Sequence, residues 1–108
     1  MLDDQEFKLR ADESLTSLYN ALAEASDDHD FETDYGGALT IEFNDPPAKF
    51  VISPNAPVRQ IWVSAHSKSF KLDWSPERRE FVLPESGQSL QQLIEDAVSR
   101  QLGEEVKL

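Results

Sequence analysis

The sequence predicts an α+β fold of two layers, with an N-terminal and a C-terminal helix packed side by side on one face of a six-stranded antiparallel sheet. Three observations carry that expectation. The hydrophobic period is helical at both ends of the chain and close to two in the middle. The middle is cut into short segments by Gly, Pro, Asn, Asp and Ser, and strands so brief imply antiparallel neighbours. Each helical segment has a single apolar face, so one sheet face can cover both.

Phe7, Ala11, Leu15, Leu18, Leu22 and Ala25 lie three or four residues apart, which predicts an amphipathic helix over residues 4–26. At about 100° per residue, Glu6, Glu13, Asn20, Glu24 and Asp27 share its opposite side, with Asp12 on one flank. After Asp28-His29-Asp30 the alternation of Phe31, Thr33 and Tyr35, then of Leu39, Ile41 and Phe43, predicts a hairpin with Gly36-Gly37 as a two-residue turn. Four more strands are expected at 48–53, 58–65, 70–74 and 80–83. They are separated by Asn44-Asp45-Pro46-Pro47, by Pro54-Asn55-Ala56-Pro57, by His66 to Ser69 and by Ser75 to Arg79. Pro84 to Gly87 ends the last strand. Ser89 with Gln92 then forms a capping box before Leu90, Leu93, Ile94, Ala97, Val98 and Leu102, and Gly103 is placed to end that helix.

A chain of 108 residues with 39% apolar content and ten aromatic side chains fits one domain, residues 1–108, around one core. There is no apolar run long enough for a membrane span, and Met1 opens on acids where a secretory leader would carry bases. The expected location is the cytoplasm of a bacterium; a trimmed mature protein of the mitochondrial matrix would have the same appearance. The absence of cysteine excludes disulfides, thiolate metal sites and a Cys nucleophile, leaving oxygen and imidazole as metal ligands.

Charge is unevenly distributed. The first 34 residues hold eleven acids against Lys8 and Arg10, so most of the net charge of −11 sits at one end. Such a field attracts cations and basic partners and repels nucleic-acid phosphates and anionic membranes. No enzyme is expected: the two histidines are far apart, the four glycines form no phosphate loop, and carboxylates on a convex helix lack a pocket to raise their pKa.

In the strand Val58 to Ala65, alternation puts Ile61, Val63 and Ala65 on the helix side and Gln60, Trp62 and Ser64 on the other. An indole on a bare sheet face is suited to anchoring a partner, while a purely structural Trp would lie on cross-strand stems such as Lys71 or Arg59.

The run Ile52 to Ser64, Ile-Ser-Pro-Asn-Ala-Pro-Val-Arg-Gln-Ile-Trp-Val-Ser, resembles the signature of the frataxin family. So do Glu6-Phe7 with Ala11-Asp12, the cluster Asp27, Asp28 and Asp30, the Gly36-Gly37 hairpin, and Lys71, Asp73 and Trp74 in one strand. The chain departs from the family in having only Asn55 as an amide in its polar turn and Ser67-Lys68-Ser69 where glycines are usual. The resemblance implies the two-layer fold inferred above. It also implies weak binding of iron by surface carboxylates and docking on the cysteine desulfurase and scaffold complex that builds iron–sulfur clusters, as a regulator or iron donor. A self-assembling iron store with slow ferroxidase activity is the alternative, and a monomer is expected without metal.

Carboxylates two helical turns apart, such as Glu6 and Glu13, are about 10 Å apart and cannot share one ion. Closer sets are Asp12 with Glu13, Glu24 with Asp27 and Asp28, and Asp30 with Glu32 and Asp34. Exposed carboxylates take Fe²⁺, Fe³⁺ or other divalent cations with little selectivity. His29 could add an imidazole, and His66 is assigned no role. On the sheet side, Asn55, Gln60, Trp62, Lys71 and Trp74 are the expected partner contacts.

Overall fold

The computed structural model of the chain describes residues 3–44 and 47–108. Its elements run α1 (Asp4–Ala25), β1 (Phe31–Gly36), β2 (Ala38–Asn44), β3 (Pro47–Asn55), a 3₁₀ turn (Ala56–Val58), β4 (Gln60–Ala65), β5 (Lys68–Ser75), β6 (Glu80–Val82) and α2 (Leu90–Leu102). The six strands form one antiparallel meander in sequence order. This is the α-β6-α arrangement expected from the hydrophobic periods.

One core joins the layers. Phe7, Ala11, Leu15, Leu18 and Leu22 of α1 and Leu90, Leu93, Ile94, Ala97 and Val98 of α2 are buried against alternate strand residues, among them Leu39, Ile41, Phe50, Ile52, Ile61, Val63, Leu72 and Phe81. Intervening strand residues point the other way, so both helices cover the same sheet face and the opposite face meets water. Fully burying each large aliphatic or aromatic side chain stabilises by about 1.5–3 kcal/mol before entropy is counted, which makes this single interface dominant.

The helix ends follow their sequence signals. Asp3 caps α1 by accepting from the Glu6 amide at 2.8 Å. Ser89 and Gln92 form the expected reciprocal capping box, and Gly103 closes α2 in the left-handed region at φ 69°. Beyond it the chain turns back along α2, where Val106 is buried and its amide donates to the Ser99 hydroxyl at 2.9 Å.

Several boundaries shift. Strand β4 begins at Gln60, not at Val58, because Ala56–Val58 closes a 3₁₀ turn and Arg59 at φ 52° reverses the chain before pairing resumes. Strand β3 extends to Asn55, which faces Gln60 in the ladder. In the first hairpin Gly36 faces Ala38 across Gly37, and among these residues only Gly37 takes a positive φ, of 83°. Asp45 and Pro46 of the expected turn before β3 lie outside the described residues.

The β4–β5 turn is made by His66 at φ 53° and Ser67 at φ 62°, between the paired Ala65 and Lys68. Two consecutive left-handed residues define the type I′ turn that right-handed strand twist favours, normally supplied by Asn-Gly. His66 is held there by its Nε2 contact with Gln101 Oε1 at 3.1 Å and an edge contact with Phe50. Ser67 therefore carries left-handed strain that glycine would not. Ser67→Gly is expected to raise stability by about 0.5–1 kcal/mol, relief of strain exceeding the added unfolded-chain entropy, as read from urea unfolding midpoints.

Candidate functional site

Two surfaces carry the candidate residues. The first is the acidic end of the molecule, formed by α1, the turn after it and β1. Asp3, Asp4 and Glu6 lie at the start of α1, where carboxylates favour the positive end of the helix dipole, and Asp4 also pairs with Arg59 at 3.0 Å. Structural work accounts for these three.

The other end of α1 has the reverse electrostatics. Its last turn contains no basic residue, and the exposed Glu24, Asp27 and Asp28 cluster where the dipole is negative. Each such charge is disfavoured by about 0.3–1 kcal/mol at low salt. Asp30 follows, also exposed. His29 does not turn toward these acids. Its Nδ1 meets Glu104 just beyond α2, and the ring is only 19% exposed, so the imidazole that could have joined the acids is engaged in tying the two helix ends together.

Asp12 and Glu13 do not act as a pair. Asp12 accepts a hydrogen bond from the Tyr35 hydroxyl at 2.9 Å, on the β1 side, whereas Glu13 lies against Arg10 at 3.4 Å. They sit about 100° apart around the helix, as sequence neighbours must. The Tyr35 hydroxyl is pushed above its ordinary value of 10.0, first by burial and then by donation to Asp12.

Glu32 and Asp34 project from the uncovered face of β1, alternating with Phe31, Thr33 and Tyr35. The ladder puts Glu32 directly opposite Glu42, an acid missing from the expected set. Like charges facing each other across a pair of strands repel. The hairpin register contained the signal, since a turn centred on Gly37 pairs residues 32 and 42. Among the described residues no group of three or more His, Asp or Glu is arranged to enclose a metal ion. The donors are separate, solvated carboxylates, a chemistry suited to a weakly held cation in exchange with water and not to a caged cofactor.

The second surface is the uncovered sheet face. The register aligns Ser53, Trp62 and Lys71 in one row across β3, β4 and β5, with Asn55, Gln60 and Asp73 in the next. Trp62 is 37% exposed, its indole N–H donates to Gln60 Oε1 at 3.0 Å, and the Lys71 ammonium lies 4.9 Å from the ring centre. Gln60 in turn donates through Nε2 to Asp73 Oδ1 at 2.9 Å. Beside the ring is a shallow hollow of about 190 Å³ lined by Val51, Ser53, Ser64, Phe70 and Lys71.

Trp74 must be removed from this face. It pairs with Phe81, follows Asp73 by one residue and therefore points to the helix side. There its ring meets Phe81 at 5.2 Å between centroids and the Arg10 guanidinium lies 5.5 Å above it. The error came from reading a motif as a surface, although strand alternation places neighbours on opposite faces. Asn55, Gln60, Trp62 and Lys71 do share the outer face.

Two outcomes follow. The neutral Tyr35 phenol is favoured in the folded chain, so its contribution is complete below pH 10 and is lost as pH rises through the elevated folded value; Tyr35→Phe should show a smaller drop in stability between neutral pH and about pH 11 in urea titrations. Asp27→Asn and Asp28→Asn should each raise stability in low salt by about 0.3–1 kcal/mol, and sodium chloride should shrink the gain in thermal melts.

The comparisons agree with this architecture. The model of the frataxin-like domain matches residues 1–104. Over 73 residues the chain is 36% identical to the iron–sulfur cluster assembly protein CyaY of Dechloromonas aromatica, covering 68% of this chain and 69% of that one. The solved structure of a frataxin from Psychromonas ingrahamii, of the CyaY family, superposes with a TM-score of 0.78 at 24% identity, covering 98% of this chain and 97% of that one, a likeness of fold. With an α-β6-α sandwich and a family match that runs through all but the last four residues of the chain, this protein belongs to the frataxin-like family.

Proposed function

We propose that the chain is a non-enzymatic, iron-binding regulator or iron donor of iron–sulfur cluster assembly that docks on the cysteine desulfurase and scaffold complex. The name of its Dechloromonas aromatica relative, an iron–sulfur cluster assembly protein, supports the pathway. The observation that carries the docking step is the exposed Trp62, held on a sheet face that no element of the chain covers among the described residues.

In this reading each surface has its own task. The carboxylates Glu24, Asp27, Asp28, Asp30, Glu32 and Asp34, together with Asp12 and Glu13 on α1, bind Fe²⁺ or Fe³⁺ as cargo, and other divalent cations compete because separate solvated oxygens impose no geometry. The same charges steer the chain toward a basic patch on the desulfurase and accelerate encounter at low salt. Asn55, Gln60, Trp62 and Lys71 then meet the assembled complex. Trp62 supplies the apolar area and Asn55 and Lys71 the polar rim, the usual division within an interface.

Relief of repulsion at the end of α1 gives the cation its driving force. An ion placed near Glu24, Asp27 and Asp28 offsets both their mutual repulsion and the negative dipole end, while solvation of each carboxylate keeps the affinity modest.

The deciding experiment measures sulfide production by a matched desulfurase and scaffold, with and without the chain and Fe²⁺, alongside equilibrium binding. Trp62→Ala should weaken docking by about 30-fold or more, the scale of an aromatic hot spot, while leaving the thermal melt near wild type. An unchanged affinity would exclude the sheet face as the docking surface. Binding that ignores sodium chloride would exclude the acidic surface from encounter.

A further inference from the structure

We infer that Asp73 is a positioning residue for Trp62, acting through the side chain of Gln60. The inference rests on the docking reading above and adds the device that prepares its anchor.

Two hydrogen bonds form a directional chain. Asp73 Oδ1 can only accept, so the group of Gln60 that faces it at 2.9 Å must be the amide nitrogen. With Nε2 so committed, Gln60 turns its carbonyl oxygen along β4 toward Trp62, whose indole N–H can only donate and does so at 3.0 Å. Were the Gln60 amide rotated by half a turn, a carbonyl would face the Asp73 carboxylate and an NH₂ the indole N–H, and both contacts would be lost. The carboxylate of Asp73 thus selects the amide orientation that fixes the indole.

The ladder makes this reach feasible. Gln60 and Asp73 are directly paired across β4 and β5, while Gln60 and Trp62 lie two residues apart on the same outer face. Lys71, paired with Trp62, covers the ring from the β5 side with its ammonium 4.9 Å from the centre. The ring is therefore constrained from two sides while still 37% exposed.

The consequence for recognition is specific. The indole N–H is spent within the chain, so a partner meets Trp62 through its ring surface and edge, without a hydrogen bond from its nitrogen. Pre-fixing the ring also removes rotamer entropy that docking would otherwise have to overcome.

The test uses the full chain labelled with ¹⁵N. Trp62→Phe assigns the Trp62 indole N–H resonance. Asp73→Ala should move that resonance and speed its exchange with solvent, and Asp73→Asn, which keeps an acceptor for Gln60, should return both most of the way. Loss of a preorganising hydrogen bond corresponds to an affinity reduced by about fivefold for the desulfurase and scaffold complex in Asp73→Ala, restored in part by Asp73→Asn. Gln60→Leu breaks the chain independently and should give the same indole shift without touching Asp73. An indole resonance and exchange rate unchanged in Asp73→Ala or in Gln60→Leu overturn the inference. So does a freed indole with unaltered affinity in a preparation where Trp62→Ala does abolish docking. If Trp62→Ala itself docks like wild type, the docking reading fails, and with it the proposed purpose of the relay, while the spectra alone decide whether Asp73 sets the ring.

Discussion

Everything in this molecule depends on burying two apolar helix stripes against a single face of one sheet. Alternate residues of the strands supply the other half of that interface, from Phe31 and Ile41 at one side to Leu72 and Phe81 at the other. Because successive strand residues point in opposite directions, the same arrangement that fills the core dictates what stands on the far side. A two-layer sandwich has no third layer to cover it. Polar and charged residues occupy most of that surface, which is what solubility requires, and Trp62 is the conspicuous exception.

The neighbours of Trp62 moderate that exposure without ending it. Gln60 takes its one polar hydrogen, Lys71 lies over its ring, and Asp73 holds Gln60. A bare indole free to rotate would be both an aggregation hazard and a poor anchor, since ordering it would cost binding energy. Cross-strand pairing meets both problems with side chains that are themselves polar.

Charge placement adds a second consequence of the fold. The contacts of His29 with Glu104 and of His66 with Gln101 show that the turn after α1, the β4–β5 turn and the end of α2 lie at one end of the sandwich. His29, between Asp28 and Asp30, meets Glu104 there, beside the negative end of a helix. Such an arrangement is unfavourable to folding and favourable to the proposed binding of cations, so the acids proposed to hold them are those the helix would be more stable without. The acids at the start of α1 are placed oppositely, capping the helix and complementing its dipole. Position relative to the helix, and not the number of carboxylates, separates the two groups.

Much of this was legible in the residue order. Periods of 3.6 and 2 located both helices and all six strands, Ser89 with Gln92 marked the start of α2, and alternation placed Trp62 outside, because these are local rules that each segment obeys alone. What stayed hidden was relational. The turning of His29 toward Glu104, the engagement of Asp12 by Tyr35 and the bond from Gln60 to Asp73 all depend on which segment lies beside which and in what register. Trp74 illustrates the limit, since its motif suggested a surface while its pairing with Phe81 turned it inward. Periodicity along the chain assigns each side chain to a face. Only packing between segments decides which faces become core and which distant residues meet, because those contacts are made by parts of the chain that no local rule connects.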